Sequence, residues 1–282
     1  MIPAVVASDV DGTLLASHGA LSPATADELR TLDDDGVVVV ALTARPVRLL
    51  RVVEPLWTLV RYAVCDNGAT TWDTRTGRIV AATTWGPRDL DVLAHALRLR
   101  VPALSLALET FEGTIAEPAF ARLAGLRIDV EVTRTVGTLA PEGAATKLMA
   151  IADGYAPDVL CEALAPGLNM RCRLTHSGGA FIEIGPPGTG KAAALAALCE
   201  EWGVNAADVV AFGDMPNDAD ALAWAGVGVA MANAHPAVLA VADDVTLSND
   251  DDGVARWLAS RRRQSRSDNV AEGPDTCGDS AT

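Results

Sequence analysis

Short, nearly continuous apolar runs recur along the chain and alternate with stretches of helical period. Towards the N-terminus the runs are Ala4 to Ser8, Val37 to Leu42 and Tyr62 to Cys65; towards the other end they are Val209 to Phe212, Val227 to Ala230 and Val245 to Leu247. Each is too continuous for a strand with one wet face, so they read as buried parallel strands. Between the first two, Ser22-Pro23 supplies an N-cap followed by proline at the first helical position, opening a helix that ends near Gly36. Further helices are predicted through Arg48, Leu49 and Val52, over Ala192 to Glu201, Asp218 to Trp224 and Pro236 to Val241. Strand and helix in alternation predict an α/β core, a doubly wound parallel sheet of Rossmann-like form.

The middle of the chain has a different grammar. A helix over Pro87 to Arg100 is followed by strand-like runs at Leu104 to Leu108, Ile128 to Val132 and Lys147 to Ile151, a helix at Asp158 to Leu164, and a strand at Met170 to Leu174. Helices and strands in blocks predict a small α+β domain inserted into the core. The expected organisation is core over residues 1–84, an inserted domain over 85–183, core again over 184–260, and a polar, aperiodic, disordered tail over 261–282.

The 282 residues suffice for two domains with buried interiors. Asp and Glu number 37 against 22 Lys and Arg, for a formal charge of -15. Nucleic-acid binding needs a basic surface to displace counterions, so this balance argues against it. A small phosphate ester remains compatible with an acidic protein if a divalent cation stands between the charges. Five scattered cysteines, without paired spacing or a histidine cluster, point to a reducing compartment and no structural zinc. The N-terminal Met1-Ile2-Pro3-Ala4 carries no basic stretch, and no apolar run approaches the roughly 18 residues that cross a bilayer. The expected location is cytoplasmic, away from membranes; the sequence leaves oligomeric state open.

Three buried strands end in polar residues of a useful kind: Asp9, Thr43 and Asp214. In an open parallel sheet the carboxyl ends of strands converge on one crevice, so one site can collect all three. Thr43 alone would read better as a cap; three strand ends together favour the crevice. In Asp9-Val10-Asp11-Gly12-Thr13, the two carboxylates lie two apart and face the same side, with Gly12 freeing the turn. Carboxylates so close resist ionising together unless a cation or shared proton relieves them, which suits a metal and a division between nucleophile and acid/base. The competing reading is an Asx-turn. Gly213-Asp214-Met215-Pro216-Asn217-Asp218 adds two carboxylates and an amide, an oxygen set of Mg²⁺ type, though Asn217 or Asp218 would equally cap a helix.

Lys191 opens an alanine-rich helix, where the dipole opposes a cation unless an anion is present; a phosphoryl group would supply one. The same lysine ends Gly185-Pro186-Pro187-Gly188-Thr189-Gly190-Lys191-Ala192, which nearly spells a P-loop, but Ala192 has no hydroxyl for a metal. A P-loop nucleotide hydrolase built on Lys191 is the rival enzyme; a phosphometabolite-binding module without turnover is the rival outside catalysis. His18, His95, His176 and His235 lack metal-like spacing and read as surface or structural, with His176-Ser177-Gly178-Gly179 at the border of a pocket as the second reading for that one. Lys147 reads as a solvated lysine, against the alternative of a lysine of the inserted domain near substrate, and Arg261-Arg262-Arg263 as the frayed end of a helix.

Asp9-Val10-Asp11-Gly12-Thr13, Thr43, Lys191 and Gly213-Asp214-Met215-Pro216-Asn217-Asp218 resemble, in order and spacing, the four motifs of the haloacid dehalogenase superfamily. Asn67-Gly68-Ala69, Glu183-Ile184, Val227 to Ala234, Ala242-Asp243 and Asp252-Gly253-Val254-Ala255 resemble its Cof-type subfamily with an α/β cap. The resemblance implies a Mg²⁺-dependent phosphatase acting through an aspartyl phosphate on a small phosphorylated metabolite, sugar phosphates being the expected class. It implies Asp9 as nucleophile and metal ligand, and Asp11 as general acid/base and metal ligand through its carbonyl. Thr43, Lys191, Asn217 and Arg45 would serve the phosphoryl group, Asp214 the metal, and Asp218 would orient Lys191. Thr43-Ala44-Arg45 departs from the Thr-Gly-Arg of many relatives, and the Pro-Pro-Gly-Thr-Gly before Lys191 is also unusual.

Overall fold

The continuous apolar runs form the centre of an eight-stranded sheet in a computed structural model that describes residues 3–125, 130–132, 145–168 and 172–271. In chain order the strands are β1 (Val5–Asp9), β2 (Val38–Leu42), β3 (Tyr62–Cys65), β4 (Thr70–Asp73) and β5 (Arg78–Ala82). Next come β6 (Ser105–Thr110), β7 (Thr114–Ala116), β8 (Val130–Val132), β9 (Ala145–Ile151), β10 (Arg173–Thr175) and β11 (Ile182–Gly185). Last are β12 (Val209–Gly213), β13 (Val227–Ala230) and β14 (Asp244–Val245).

The core sheet has the order β14-β13-β12-β1-β2-β3-β4-β5, parallel from β14 to β3 and antiparallel at β4 and β5. From β1 the chain winds outward through β2 and β3; from β12 it winds the other way. The carboxyl ends of β1 and β12 therefore flank the switch point where such sheets bind ligands. Both faces are covered, which is why the strands lack polar alternation. Val6, Val39, Ala41, Val210 and Phe212 pack with Leu29, Leu32, Val254 and Leu258 on one face. Val5, Ala7, Val40, Leu42 and Val64 meet Leu195, Leu198 and Cys199 on the other.

The second sheet, β10-β11-β9-β6-β7-β8, is antiparallel except at β7 and β8. Its strands do alternate. Leu106, Leu108, Leu148, Ala150, Ile182 and Ile184 pack against Leu90, Leu93 and Leu97 of helix Pro87–Arg100 and Leu160 and Leu164 of helix Pro157–Leu164. The period of two then sends Glu109, Lys147, Met149 and Glu183 to the opposite face. That face looks onto the carboxyl ends of the core strands.

Several elements differ from expectation. The helix predicted through Val52 stops at Leu50, and β14 ends at Val245. The hairpin β4–β5 was not predicted, because β5 is exposed along its whole length and gives no alternating signal. Strand β11 carries the second sheet to Gly185, just beyond the expected return to the core at residue 184. The stretch expected to be disordered from residue 261 begins as helix, since helix Gly253–Ala271 runs through it. Arg262 reaches Glu28 at 2.5 Å and Arg261 reaches Asp244 at 2.8 Å, so these arginines fasten the helix to the core and do not fray. Residues 126–129, 169–171 and 272–282 of the expected strands and tail lie outside the described residues. Among the described residues no helix is long and apolar enough to cross a membrane.

Candidate active site

Asp9 is the last residue of β1, and its side chain is buried at the switch point. Lys191, first residue of helix Lys191–Trp202, sends its ammonium across to Asp9 Oδ1 at 2.5 Å and to Asp218 Oδ1 at 2.5 Å. The anion that its place at a helix start demanded is thus supplied by Asp9 at the end of β1 and by Asp218 beyond β12. A Cβ on Gly68 would stand 2.2 Å from the Gly190 carbonyl oxygen, so the turn after β3 abuts this helix start only because residue 68 is glycine.

Asp218 already has three donors: Oδ2 accepts from the Asp214 and Met215 amides at 3.1 and 2.9 Å, while Oδ1 takes Lys191. Asp214 follows β12 and accepts from the Thr13 hydroxyl at 2.8 Å. Asp9, Asp214 and Asp218 each offer a carboxylate oxygen, all within 4.8 Å of one another and all buried. Burial pushes the Asp9 carboxyl well above its ordinary range; Lys191 draws it back, and Asp218 and Asp214 add to the rise. Burial, reinforced by Asp218, pushes Asp214 up to about 7. For Lys191 burial works downward, but Asp218 and Asp9 outweigh it and hold the ammonium above its ordinary value. One ammonium among three buried carboxylates leaves the group short of positive charge. A divalent cation fits that deficit and that all-oxygen donor set.

Gly12 is what lets Asp214 come so close. Its φ is +82°, and a Cβ there would lie 2.4 Å from Asp214 Oδ2. Gly12→Ala is expected to cost about 1–3 kcal/mol in backbone strain and to displace the carboxylate. Its checks are a lower Tm and a weakened response of Tm to an added divalent cation.

Asp11 lies outside the buried trio. Its half-exposed carboxylate is gripped in bidentate fashion by Arg45, Nε to Oδ2 at 2.7 Å and Nη2 to Oδ1 at 2.6 Å. Arg45, expected to reach phosphate, is therefore engaged with Asp11 in this structure. Thr43 is buried at the end of β2, and its Oγ1 accepts from the Arg45 amide at 3.0 Å. Asn217 donates to Asn67 Oδ1 at 2.9 Å, and its own Oδ1 is buried without a partner.

A cavity of about 270 Å³ opens above these groups, with Asp9, Asp11, Arg45 and Asn217 on its floor. The second sheet roofs it with Glu109, Thr114, Lys147, Met149 and Glu183. Met215, Leu49 and Phe181 add apolar wall. The reading of Lys147 as a solvated lysine is overturned: it is buried, bonding Glu183 Oε1 at 2.6 Å and the Ala44 carbonyl at 2.8 Å. Burial works against its charge, but Glu183 and Asp66 keep the ammonium above its ordinary value. Glu109, which the sequence reading missed, accepts from Arg48 and from the Thr114 hydroxyl. The signal was present in Leu106-Ala107-Leu108-Glu109, where alternation puts Glu109 opposite the two leucines. His176 is buried against Asp158 at 2.8 Å, in keeping with a structural role, while Ser177 and Gly179 beside it do line the cavity.

The P-loop reading fails on topology. The strand before the glycine-rich turn is β11 of the antiparallel sheet, and Lys191 points at Asp9 and Asp218. Thr189 turns back onto the Pro186 carbonyl at 2.6 Å.

Residues 6–258 match the family model of the haloacid dehalogenase-like hydrolases. The chain belongs to that family, and within it stands with the phosphatases. YxeH of Bacillus subtilis, provisionally named a phosphatase, is 29% identical over 261 residues, covering 90% of this chain and 96% of the relative. The HMP-PP phosphatase of Cronobacter sakazakii is 30% identical over 243 residues, covering 83% and 86%. The crystal structure of SMU.1108c from Streptococcus mutans has the same fold, with a TM-score of 0.81 at 24% identity over 93% of this chain and 99% of the other.

Proposed function

We propose that this phosphatase hydrolyses small phosphomonoesters with Mg²⁺, by transfer of the phosphoryl group to Asp9. The observation that carries the reading is Asp9 itself, at the end of β1 with Lys191 at 2.5 Å and Asp214 alongside, open to a roofed cavity of small-metabolite size. Asp9 and Asp214 would hold the Mg²⁺ with carboxylate oxygens, together with the Asp11 carbonyl; Asp218 stays with Lys191 and the two amides it already accepts from. When bound, the cation offsets the negative charge of phosphate and carboxylates and so lets them approach.

An Asp9 carboxylate oxygen attacks phosphorus and the bond to the leaving oxygen breaks, with Asp11 supplying its proton. Water then gives a proton to Asp11 and attacks phosphorus, and the bond to Asp9 breaks. Lys191, the Thr43 hydroxyl and Asn217 hold phosphoryl oxygens throughout. Arg45 holds Asp11 in place between turnovers; its contact with phosphate, inferred from the sequence, requires it to leave that pair.

The leaving group faces both kinds of wall. Phe181, Leu49 and Met149 suit an apolar ring face, whereas Glu109, Thr114 and Ser177 suit hydroxyl or amino donors. Sugar phosphates satisfy both.

A phosphomonoester panel with and without Mg²⁺ tests the reading. Metal-dependent phosphate release is expected, with kcat/KM highest among small esters. No turnover across the panel would favour a binding module. Tight ATP binding lost in Lys191→Ala but kept in Asp9→Asn would restore the nucleotide hydrolase.

A further inference from the structure

The turn after β2 has three consecutive carbonyls, each held differently. The Thr43 oxygen accepts from the Asn67 amide at 3.0 Å and the Arg45 oxygen from the Asp66 amide at 3.1 Å, both from the neighbouring core segment. The Ala44 oxygen accepts from Lys147 Nζ at 2.8 Å, which comes from β9 of the other sheet. The Ala44 carbonyl and the Arg45 amide share one rigid peptide plane. Whatever holds the carbonyl also aims the amide, and that amide donates to Thr43 Oγ1 at 3.0 Å. A threonine hydroxyl has a single hydrogen to give. With a lone pair already taken by the Arg45 amide, its hydrogen is turned to another acceptor, and the phosphoryl group is the acceptor proposed above.

We infer that Lys147 is a positioning residue for the phosphoryl-binding turn. From the cap side it holds the Ala44 carbonyl, and through that peptide plane it sets the Thr43 hydroxyl and the Arg45 backbone when the cap is seated. The inference rests on Thr43 as a phosphoryl ligand. A second crossing lands on the same stretch of core, where Arg48 bonds Glu109 of β6 at 2.8 Å, and Glu109 pairs in register with Lys147. Both cap strands thus meet the core within residues 44–48. Neutralising Glu183 is the simpler task for Lys147, but that pair needs no third contact, and burying two charges is no efficient way to stabilise a fold.

Lys147→Met and the double variant Lys147→Met/Glu183→Gln separate the two roles. In the single variant Glu183 loses its cation, so Tm and kcat are both expected to fall. In the double variant the Glu183 charge is gone, the buried Asp66 that Lys147 also faced is free to take up a proton, and Tm recovers, while kcat stays at least about tenfold below wild type because Ala44 is still unheld. Hydrogen exchange over residues 43–48 is expected to quicken about tenfold or more in both variants. Recovery of kcat along with Tm would reduce Lys147 to a charge partner. Wild-type exchange rates at residues 43–48 in the double variant would overturn the inference outright. A wild type that turns over no ester would instead defeat the phosphatase reading, and the exchange comparison would still decide the role of Lys147.

Discussion

Asp9→Asn is expected to lower Mg²⁺-dependent phosphate release by at least about a thousandfold, the scale seen when a covalent nucleophile is removed. Asparagine keeps the shape of the side chain and a carbonyl oxygen facing Lys191, so the loss belongs to nucleophilicity and not to packing. Lys191 retains Asp218 at 2.5 Å and is not stranded. One of three crowded, buried carboxylates becomes neutral, so the metal-free variant should melt no lower than wild type. The check pairs kinetics on an aryl phosphate with a melting curve. Activity within tenfold of wild type would remove Asp9 from the chemistry, and a collapse of Tm would mean that its charge had been structural.

Much of this was legible from sequence because burial leaves a strong imprint. The strands that carry Asp9, Thr43 and Asp214 are covered on both faces and read as unbroken apolar runs. Ser22-Pro23 marked a helix start that the structure places at Pro23, with the Thr25 amide bonded to the Ser22 hydroxyl. Helix Pro87–Arg100 begins and ends as its proline and periodicity predict. What escaped was whatever depends on a distant partner. Alternation in Lys147-Leu148-Met149-Ala150 tells which face Lys147 occupies, but not that Ala44, 103 residues earlier, waits there. The arginine-rich helix past residue 260 has no apolar stripe to announce it and is fastened by Arg262 to Glu28, 234 residues away. Asp11 shows the same limit inside the motif, because Arg45 draws its carboxylate away from the buried trio.

Asp214 makes the metal testable without turnover. In the metal-free protein burial, with Asp218 beside it, pushes its carboxyl up to about 7 from 3.8 in an unperturbed chain. A carboxyl raised by folding prefers its proton in the native state, so its stabilising effect is complete below pH 3.8 and drains away as pH climbs through 7. For a buried group this is on the order of a few kcal/mol. Asp9, Glu28, Asp66 and Asp220 are also raised and tilt stability the same way. Asp73, Asp158, Glu183, Asp244 and Asp250 are lowered; between pH 5 and 8 they are ionised in both states and add little slope. The metal-free protein should therefore lose Tm from pH 5 to pH 8. On the proposed function Mg²⁺ would bind the ionised carboxylates, so it should raise Tm more at pH 8 than at pH 5. Asp214→Asn should lessen the metal-free slope, abolish the response to Mg²⁺, and lower phosphate release by about a hundredfold or more through lost transition-state stabilisation. A wild-type Tm that holds level or rises from pH 5 to pH 8 would show that Asp214 is not forced to ionise in a crowded site. If Mg²⁺ raised Tm equally in Asp214→Asn, the cation would be binding somewhere other than the carboxyl ends of β1 and β12.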